Sequence, residues 1–154
     1  MRRLITPLLF LGMFASSLGG ESVSGRVIKV LPHYLDLKGR NTLSPSLYER
    51  DAYQAQLRQH PEQRSGLRFD VQWRAKGTAA AHLKLRVEVR GAKKGGRPSQ
   101  ATLDELVRQK GSFSHWTGFK LAGEDYQKFG ELVAWRATLW DGEQLLGEQK
   151  SFLW

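Results

Sequence analysis

The chain has 154 residues and contains no cysteine. The absence of thiols excludes disulfide scaffolds, cysteine-ligated zinc sites and cysteine nucleophiles. Beyond the first twenty residues, no apolar run is long enough to span a membrane. A domain of roughly 130 residues can bury about two thirds of its unfolded-chain surface, so a hydrophobic core alone is able to stabilise this one.

Acidic residues are also scarce, because 15 Asp and Glu stand against 24 Lys and Arg, for a formal net charge of +9. Such an excess bears on partners and solubility, not on the fold. It favours an acidic polymer, an anionic glycan or a charged envelope surface as a partner. Nucleic acid is a weaker candidate, because no nucleic-acid-binding motif is present and the chain has an export signal.

Residues 1–20 have the pattern of a secretory signal peptide. Two arginines precede an apolar stretch from Leu4 to Phe14, and residues 15–20 are small except for Leu18. The alternative is a membrane anchor, but the apolar stretch is shorter than the span of about twenty residues that a bilayer requires. No Cys follows, so a bacterial lipoprotein is excluded. We therefore expect an exported protein, periplasmic or secreted, with a mature domain over 21–154 and no membrane span after cleavage.

Strict alternation of apolar and polar residues marks two segments, 67–76 and 83–90. This period predicts strands with one buried and one solvated face. Weaker strand patterns cover 23–37, where Pro32 indicates an edge or a bend, and 113–121. The segment 101–108 is interpreted as a strand, with a helical turn as the alternative. A flexible basic loop is predicted over 91–100.

The last two dozen residues predict a closing hairpin. Two apolar runs flank Asp141-Gly142, a pair typical of a two-residue type I′ turn. Leu145 and Leu146 are adjacent and break the alternation. A bulge at Gly147 would absorb the extra residue and place Arg136 opposite Glu148.

The segment 44–61 changes to a helical period. Ser46 and Glu49 have the spacing of a capping box, and Pro61 is expected to end the helix. We predict a short helical insertion over about 46–59, with an irregular excursion as the alternative.

About seven strands, one helix and no β-α-β alternation predict an all-β fold, an antiparallel sandwich. The order of segments is a first strand, then L-R-F-D-V-Q-W-R-A-K, L-K-L-R-V-E-V-R-G, F-K-L-A-G, a corner with Tyr126, and the closing hairpin. This order resembles the immunoglobulin-like and fibronectin-type-III-like sandwiches of exported bacterial proteins, over 23–154 with 41–65 as an insertion. The chain also resembles small uncharacterised exported bacterial proteins. The resemblance implies an immunoglobulin-like sandwich of about seven strands, a fold that hosts many functions and specifies none.

No catalytic or metal-binding motif is present. The four histidines, His33, His60, His82 and His115, lie in separate segments without ligand spacing, so we expect no metal and no cofactor. Ser114 and His115 are neighbours, but adjacent strand residues point to opposite faces, which is poor geometry for a nucleophile and its base. We predict that the protein is not an enzyme, with an unrecognised pair of carboxylates as the alternative.

Basic residues on the solvated faces of the two alternating strands are candidate binding residues. If these strands pair, the polar positions of 67–76 and 83–90 form a basic stripe that continues into the adjoining loop. The alternative is an ordinary solvated face on which Asp70 and Glu88 separate the like charges. The cations of the first strand are Arg68, Arg74 and Lys76. The candidate binding residues on the second strand and in the loop are Lys84, Arg86, Arg90, Lys93, Lys94 and Arg97.

The tryptophans divide into two groups. Trp73 and Trp135 share faces with aliphatic residues and are expected in the core. Trp116, Trp140 and Trp154 lack that support. An exposed ring can stack on sugars or anchor a protein contact, and the candidate pair is Trp116 and Trp140, if both rings are exposed and coplanar. The alternative is packing under the helix or a loop.

These features together predict a non-catalytic exported module with an interaction or structural role in the cell envelope or secreted space. An unknown protein or polysaccharide of the envelope is the expected partner. The alternatives are a carbohydrate-binding module that uses exposed Trp and a binder of an acidic polymer through a basic sheet face.

Overall fold

A computed structural model describes residues 23–77 and 83–154 of the chain. They form a β-sandwich of seven antiparallel strands with two helices, which confirms the predicted fold class. The predicted signal peptide and His82 lie outside the described residues. The elements are β1 (Ser24–Asp36), α1 (Leu47–Gln59), β2 (Arg64–Lys76), β3 (Leu83–Ala92), β4 (Pro98–Val107), β5 (His115–Ala122), α2 (Gly123–Phe129), β6 (Glu131–Asp141) and β7 (Gln144–Lys150).

The strands divide into two sheets, which we call the three-stranded sheet, in the order β1-β2-β5, and the four-stranded sheet, in the order β4-β3-β6-β7. Every neighbouring pair is antiparallel. The consecutive strands β2 and β3 lie in different sheets and do not pair. The stripe that depended on their pairing is therefore not formed, and its cations are divided between the two sheets.

The core lies between the sheets and is built by the alternation that the sequence predicts. The inward side chains of β2 and β3, such as Phe69, Trp73, Leu85 and Val87, are almost fully buried. Each such residue contributes about 1.5–3 kcal/mol when it is removed from water. Trp135 is partly buried and packs against the core.

The two sheets meet along one side, where β1 passes β7. A Cβ atom at Gly147 would lie 2.7 Å from the Cα of Arg26, so the backbones approach more closely there than any other residue would permit. This contact covers one end of the β1 edge, which limits pairing with other chains.

The helix α1 forms where a helix is predicted, and the Ser46 side chain caps it by accepting a hydrogen bond from the Glu49 N–H. Leu57 points from α1 into the protein and is fully buried. A short 3₁₀ turn at Pro61–Gln63 then leads into β2. Within the described residues, neither helix has the length and apolar character needed to cross a bilayer.

The closing hairpin and a bulge next to Gly147 are confirmed, but the turn and the partner of Arg136 differ from the prediction. Asp141 pairs with Gln144, so the two-residue loop is Gly142-Glu143. Only Gly142 has positive φ (55°), which is typical of a type II′ turn rather than type I′. Leu139 pairs with Gly147 and Trp140 with Leu145, so Leu146 is the extra residue of the bulge, while Arg136 stands opposite Lys150 instead of Glu148.

The fifth strand is shorter than the sequence predicts. It begins at His115, and Phe113 lies before it with 82% of its surface exposed. The inward positions are then Phe119 and Leu121, while Trp116 faces outward. The predicted strand over 101–108 is confirmed as β4.

Candidate binding surfaces

The two sheets differ strongly in charge. The strands of the three-stranded sheet carry seven Lys and Arg residues and two Asp residues. The strands of the four-stranded sheet carry five Lys and Arg residues and six Asp and Glu residues. The positive charge of the described strands is therefore concentrated on one side of the sandwich.

The three predicted cations of β3 lie on the outer face of the four-stranded sheet, and two of them have partners there. Arg86 donates two hydrogen bonds to Asp104, both at 2.7 Å. The guanidinium of Arg90 lies 3.9 Å from the ring centre of Trp154, and Arg136 approaches the same ring at 5.0 Å. Lys84 stands opposite Trp140 of β6. This face is close to neutral and is not the expected basic stripe.

The neighbouring strand supplies a second balanced pair on this face. Arg136 donates to Glu88 at 2.7 and 2.9 Å. Glu88 was expected to separate the like charges of its own strand, and its ion-pair partner is Arg136 of β6. Such paired and partly exposed charges contribute little to stability. Because they neutralise each other, the electrostatic potential that would attract an anionic ligand is small.

The outer side of the three-stranded sheet carries the surplus charge, and we call it the basic face. Its polar positions alternate with the buried residues of β1, β2 and β5, so its side chains point to solvent. Asp70 is the one acidic side chain on it among the described residues, and Arg68 binds it at 2.8 Å. The cations of the basic face are Arg26, Lys29, Arg68, Arg74, Lys76 and Lys120.

Like charges face each other across this sheet. Arg26 stands directly opposite Arg74, and Arg68 stands directly opposite Lys120. Like charges at directly opposed positions destabilise a sheet by a few tenths of a kcal/mol to about 1 kcal/mol each. Apart from Arg68, no cation of this face has a carboxylate within 4.0 Å in the described part of the chain.

Trp116 lies on the basic face, opposite Gln72 in the row that also contains Lys29. Its side chain has 51% of its surface exposed. Beside it, the Arg68 and Asp70 side chains lie over Gly118, where a Cβ atom would be 3.1 Å from Asp70 Oδ1 and 3.3 Å from Arg68 Nη2. An aromatic ring in this position offers a flat apolar surface among cations.

Trp140 does not join Trp116. It lies on the outer face of the four-stranded sheet, where its indole N–H donates to the Thr138 hydroxyl at 2.8 Å. The two rings therefore face opposite sides of the sandwich, and the coplanar pair that a two-ring sugar platform needs is not formed.

The helix α1 covers one end of the basic face. His33 of β1 is opposite Arg68 and is buried there. Burial lowers the pKa of His33 below its ordinary value, while Asp70, 3.9 Å away, acts in the opposite direction. His33 is therefore neutral at pH 7 and adds no charge, and the open part of the basic face begins beyond it.

The three predicted loop cations come together at a different place. Lys93, Lys94 and Arg97 lie at the mouth of a cavity of about 570 Å³, which α2 lines with Tyr126 and Lys128. Neither Trp116 nor any cation of the basic face lines this cavity.

The described residues show no catalytic constellation among the candidates. No group of three or more His, Asp or Glu in 23–77 and 83–154 is placed to hold a metal ion. Ser114 accepts a hydrogen bond from Gln72 at 2.9 Å, while the His115 ring meets Gln109 and Lys110, so the two neighbours do not form a nucleophile-base pair.

Sequence reasoning missed Arg26, Lys29 and Lys120. All three occupy outward positions of strands whose periodicity was visible, but their importance depends on β1 and β5 both pairing with β2. No family model matches the chain, and neither the curated proteins nor the solved structures provide a significant match.

Proposed function

We propose that this protein is an exported, non-catalytic module that binds an acidic polysaccharide through the basic face. The observation that carries the proposal is the direct opposition of Arg26 and Arg74 in the sheet register, on a face where Asp70 balances only Arg68. Sheet stability alone does not favour such an opposition, whereas an anionic ligand relieves the repulsion and benefits from the focused potential.

The dimensions of the basic face suit a polymer. Side chains two positions apart on one strand are separated by about 6.8 Å, and neighbouring strands by about 4.8 Å. From the row of Arg68 to that of Lys76, the cations extend over roughly 27 Å. A chain with regularly repeated carboxylate, sulfate or phosphate groups can contact several of them at once.

Trp116 favours a polysaccharide over an acidic polypeptide. Its half-exposed ring lies on the same face as the cations and opposite the polar Gln72, whereas a protein-binding hot spot would require apolar neighbours. The apolar face of a pyranose ring stacks on such an indole while its acidic substituents reach the flanking Lys and Arg. The single ring supplies contact area, and the cations supply the selection for charge.

The strand order supports an immunoglobulin-like module. Strands 1, 2 and 5 form one sheet, and strands 3, 6 and 7 form the core of the other, as strands A, B, E and C, F, G do in immunoglobulin sandwiches. The fourth strand then corresponds to the additional C′ strand beside C. Export is supported by the signal-like pattern of residues 1–20.

The test is retention of the purified protein on immobilised acidic and neutral polysaccharides over a salt series. The charge-reversal variant Lys29→Glu with Arg74→Glu changes the basic face. The matched control, Lys84→Glu with Lys150→Glu, makes the same change in net charge on the four-stranded sheet.

The native protein is expected to bind the acidic polymers and to elute as salt rises, because exposed charges are screened. At about 1 kcal/mol for each cation lost, the first variant should bind roughly 30-fold more weakly, while the control retains most of its affinity. Equal losses in both variants would show attraction by net charge alone. Absence of retention on every polysaccharide would point instead to a protein partner or a structural role.

A further inference from the structure

The cavity beside α2 is a second feature that the basic face does not include. It lies at one end of the sandwich, between the turn that joins β3 to β4, the 3₁₀ turn at Pro61 and the start of β6. Its volume of about 570 Å³ is in the range of ligand-binding pockets.

Close backbone packing fixes the walls of this cavity. Gly130, between α2 and β6, has a positive φ of 88°, and a Cβ atom there would overlap the carbonyl oxygen of Ala92. The adjoining wall is a tight turn in which the Lys93 N–H donates to the Arg97 carbonyl at 2.8 Å. The Gly96 N–H donates to the Lys93 carbonyl at 3.0 Å. The segment predicted to be a flexible loop therefore has a defined turn that holds its cations together.

The charges around the cavity are unequal. Lys93, Lys94, Arg97 and Lys128 are the cations that line it, and Glu131 is the one carboxylate of the lining. Lys128 pairs with Glu124 at 3.0 Å. In the described part of the chain, the other three cations have no carboxylate within 4.0 Å.

Arg64 prevents Glu131 from neutralising those three cations. Its buried guanidinium donates to both carboxylate oxygens of Glu131, at 2.7 and 2.8 Å. The same group stacks on the Tyr34 ring at 4.0 Å and donates to the Leu57 and Arg58 carbonyls. The two charge-assisted bonds, both from Nη1, hold the carboxylate against Arg64, and the cavity mouth keeps a positive surplus.

Tyr126 provides the apolar part of the lining, together with Pro61. Burial raises the pKa of Tyr126, so its hydroxyl is a neutral donor and acceptor at pH 7. The cavity thus combines a ring surface and a phenol with three cations at its mouth.

From this arrangement we infer that the cavity binds a single anionic sugar, a hexose ring that carries a carboxylate or a phosphate group. The ring lies against Tyr126, and the acidic group meets Lys93, Lys94 and Arg97. This site is separate from the basic face, and the inference does not depend on the proposed function of that face.

The test is a titration of the ¹⁵N-labelled protein, followed by nuclear magnetic resonance, with glucuronic acid, glucose 6-phosphate, inorganic phosphate and glucose. Saturable shifts at Lys93, Arg97 and Gly130 are expected with at least one acidic sugar, and which of the two binds identifies the acidic group. Weaker binding of inorganic phosphate and of glucose is expected, because phosphate lacks the sugar ring and glucose lacks the acidic group. Equal binding of either control, or no saturable shift at these residues, would overturn the inference.

A pair of variants distinguishes binding in the cavity from attraction by the net positive charge of the protein. Lys93→Gln with Arg97→Gln removes two exposed charges of the turn and leaves its backbone hydrogen bonds in place. This variant should bind the acidic sugar at least tenfold more weakly, with an otherwise unchanged spectrum. The control, Lys84→Gln with Lys150→Gln, should bind as the native protein does. Unchanged affinity in the first variant, or an equal loss in the control, would contradict the site.

Discussion

The side-chain amide of Gln54 in α1 hydrogen-bonds to both backbone groups of Tyr34 in β1. The Tyr34 N–H donates to Oε1 at 2.8 Å, and Nε2 donates to the Tyr34 carbonyl at 2.9 Å. Nε2 also donates to the Asn41 carbonyl at 2.7 Å. Since β1 is an edge strand, a helix side chain takes the place of a neighbouring strand and closes this part of the edge.

Replacement of Gln54 by Ala should therefore destabilise the protein by about 2–3 kcal/mol. The change removes three hydrogen bonds around a side chain that is only 6% exposed, and it leaves buried backbone groups without partners. Urea unfolding followed by circular dichroism measures the loss.

Gln56→Ala is the matched control for this prediction. Gln56 lies on the same helix, is exposed, and bonds only to the Gln63 side chain. Its loss should cost no more than about 0.5 kcal/mol. Similar losses in the two variants would mean that the amide of Gln54 does not secure the edge.

Asp36 at the end of β1 is held by four groups. The backbone N–H groups of Lys38 and Arg40 donate to Oδ1 at 2.8 Å, and the Tyr53 hydroxyl donates to Oδ2 at 2.7 Å. The Arg40 guanidinium donates to Oδ2 at 2.9 Å. Burial by itself would raise the pKa of Asp36, but these hydrogen bonds outweigh it and lower the pKa from 3.8 to about 2.

Stability should therefore fall in acid through this residue. Since the pKa is lower in the folded state, the contribution is complete above about pH 4 and is lost as the pH falls towards 2. We expect ionised Asp36 to contribute about 1–2 kcal/mol to the free energy of unfolding. This is less than the full pKa shift implies, because Arg40 is half exposed.

The free energy of unfolding, measured in urea between pH 2 and 6, tests this contribution. In Asp36→Asn, the free energy of unfolding should fall less steeply as the pH decreases. In Asp51→Asn, at an exposed position of α1, its pH dependence should be unchanged. Parallel profiles for the native protein and Asp36→Asn would contradict the assignment.

Gly130 and Gly142 provide a comparison of two positive-φ glycines. Gly130→Ala adds a methyl group that overlaps the Ala92 carbonyl, while nothing lies within 4 Å of a Cβ at Gly142. Gly142→Ala should cost about 1 kcal/mol for its backbone conformation alone. Gly130→Ala should cost at least about 2 kcal/mol, since it also separates α2 from β3. Thermal unfolding ranks the two, and equal costs would show that the close contact does not matter.

Trp116→Ala separates binding from folding. Trp116 is half exposed, so its removal should change stability by about 0.5 kcal/mol or less. It should weaken retention on an acidic polysaccharide by about 1–2 kcal/mol without altering the salt dependence, since no charge is lost. Trp140→Ala, on the opposite sheet, should leave retention unchanged. An altered salt dependence, or equal effects of the two changes, would contradict a stacking role for Trp116.

The strands and the helix follow from local patterns in the sequence. Alternation over 67–76 and 83–90 determines which side chains are buried, because period two is a property of the strand itself. Ser46 caps α1 through a hydrogen bond to a residue three positions away. The adjacent Leu145 and Leu146 likewise predicted a bulge next to Gly147, but the predicted partner of Arg136 was wrong, because the register of β6 and β7 also depends on the packing of Leu146 against Gly25 in β1.

Which charges meet was decided only by the tertiary structure. Arg26 and Arg74 are opposed because β1 pairs with β2, although they are far apart in the sequence. Arg86 and Arg90, equally basic in the sequence, are engaged by Asp104 and Trp154 from other elements. Alternation gives the outward face of each strand, but the neighbours across a sheet depend on how the whole chain packs its core, and it is these neighbours that make one face basic and leave the other nearly neutral.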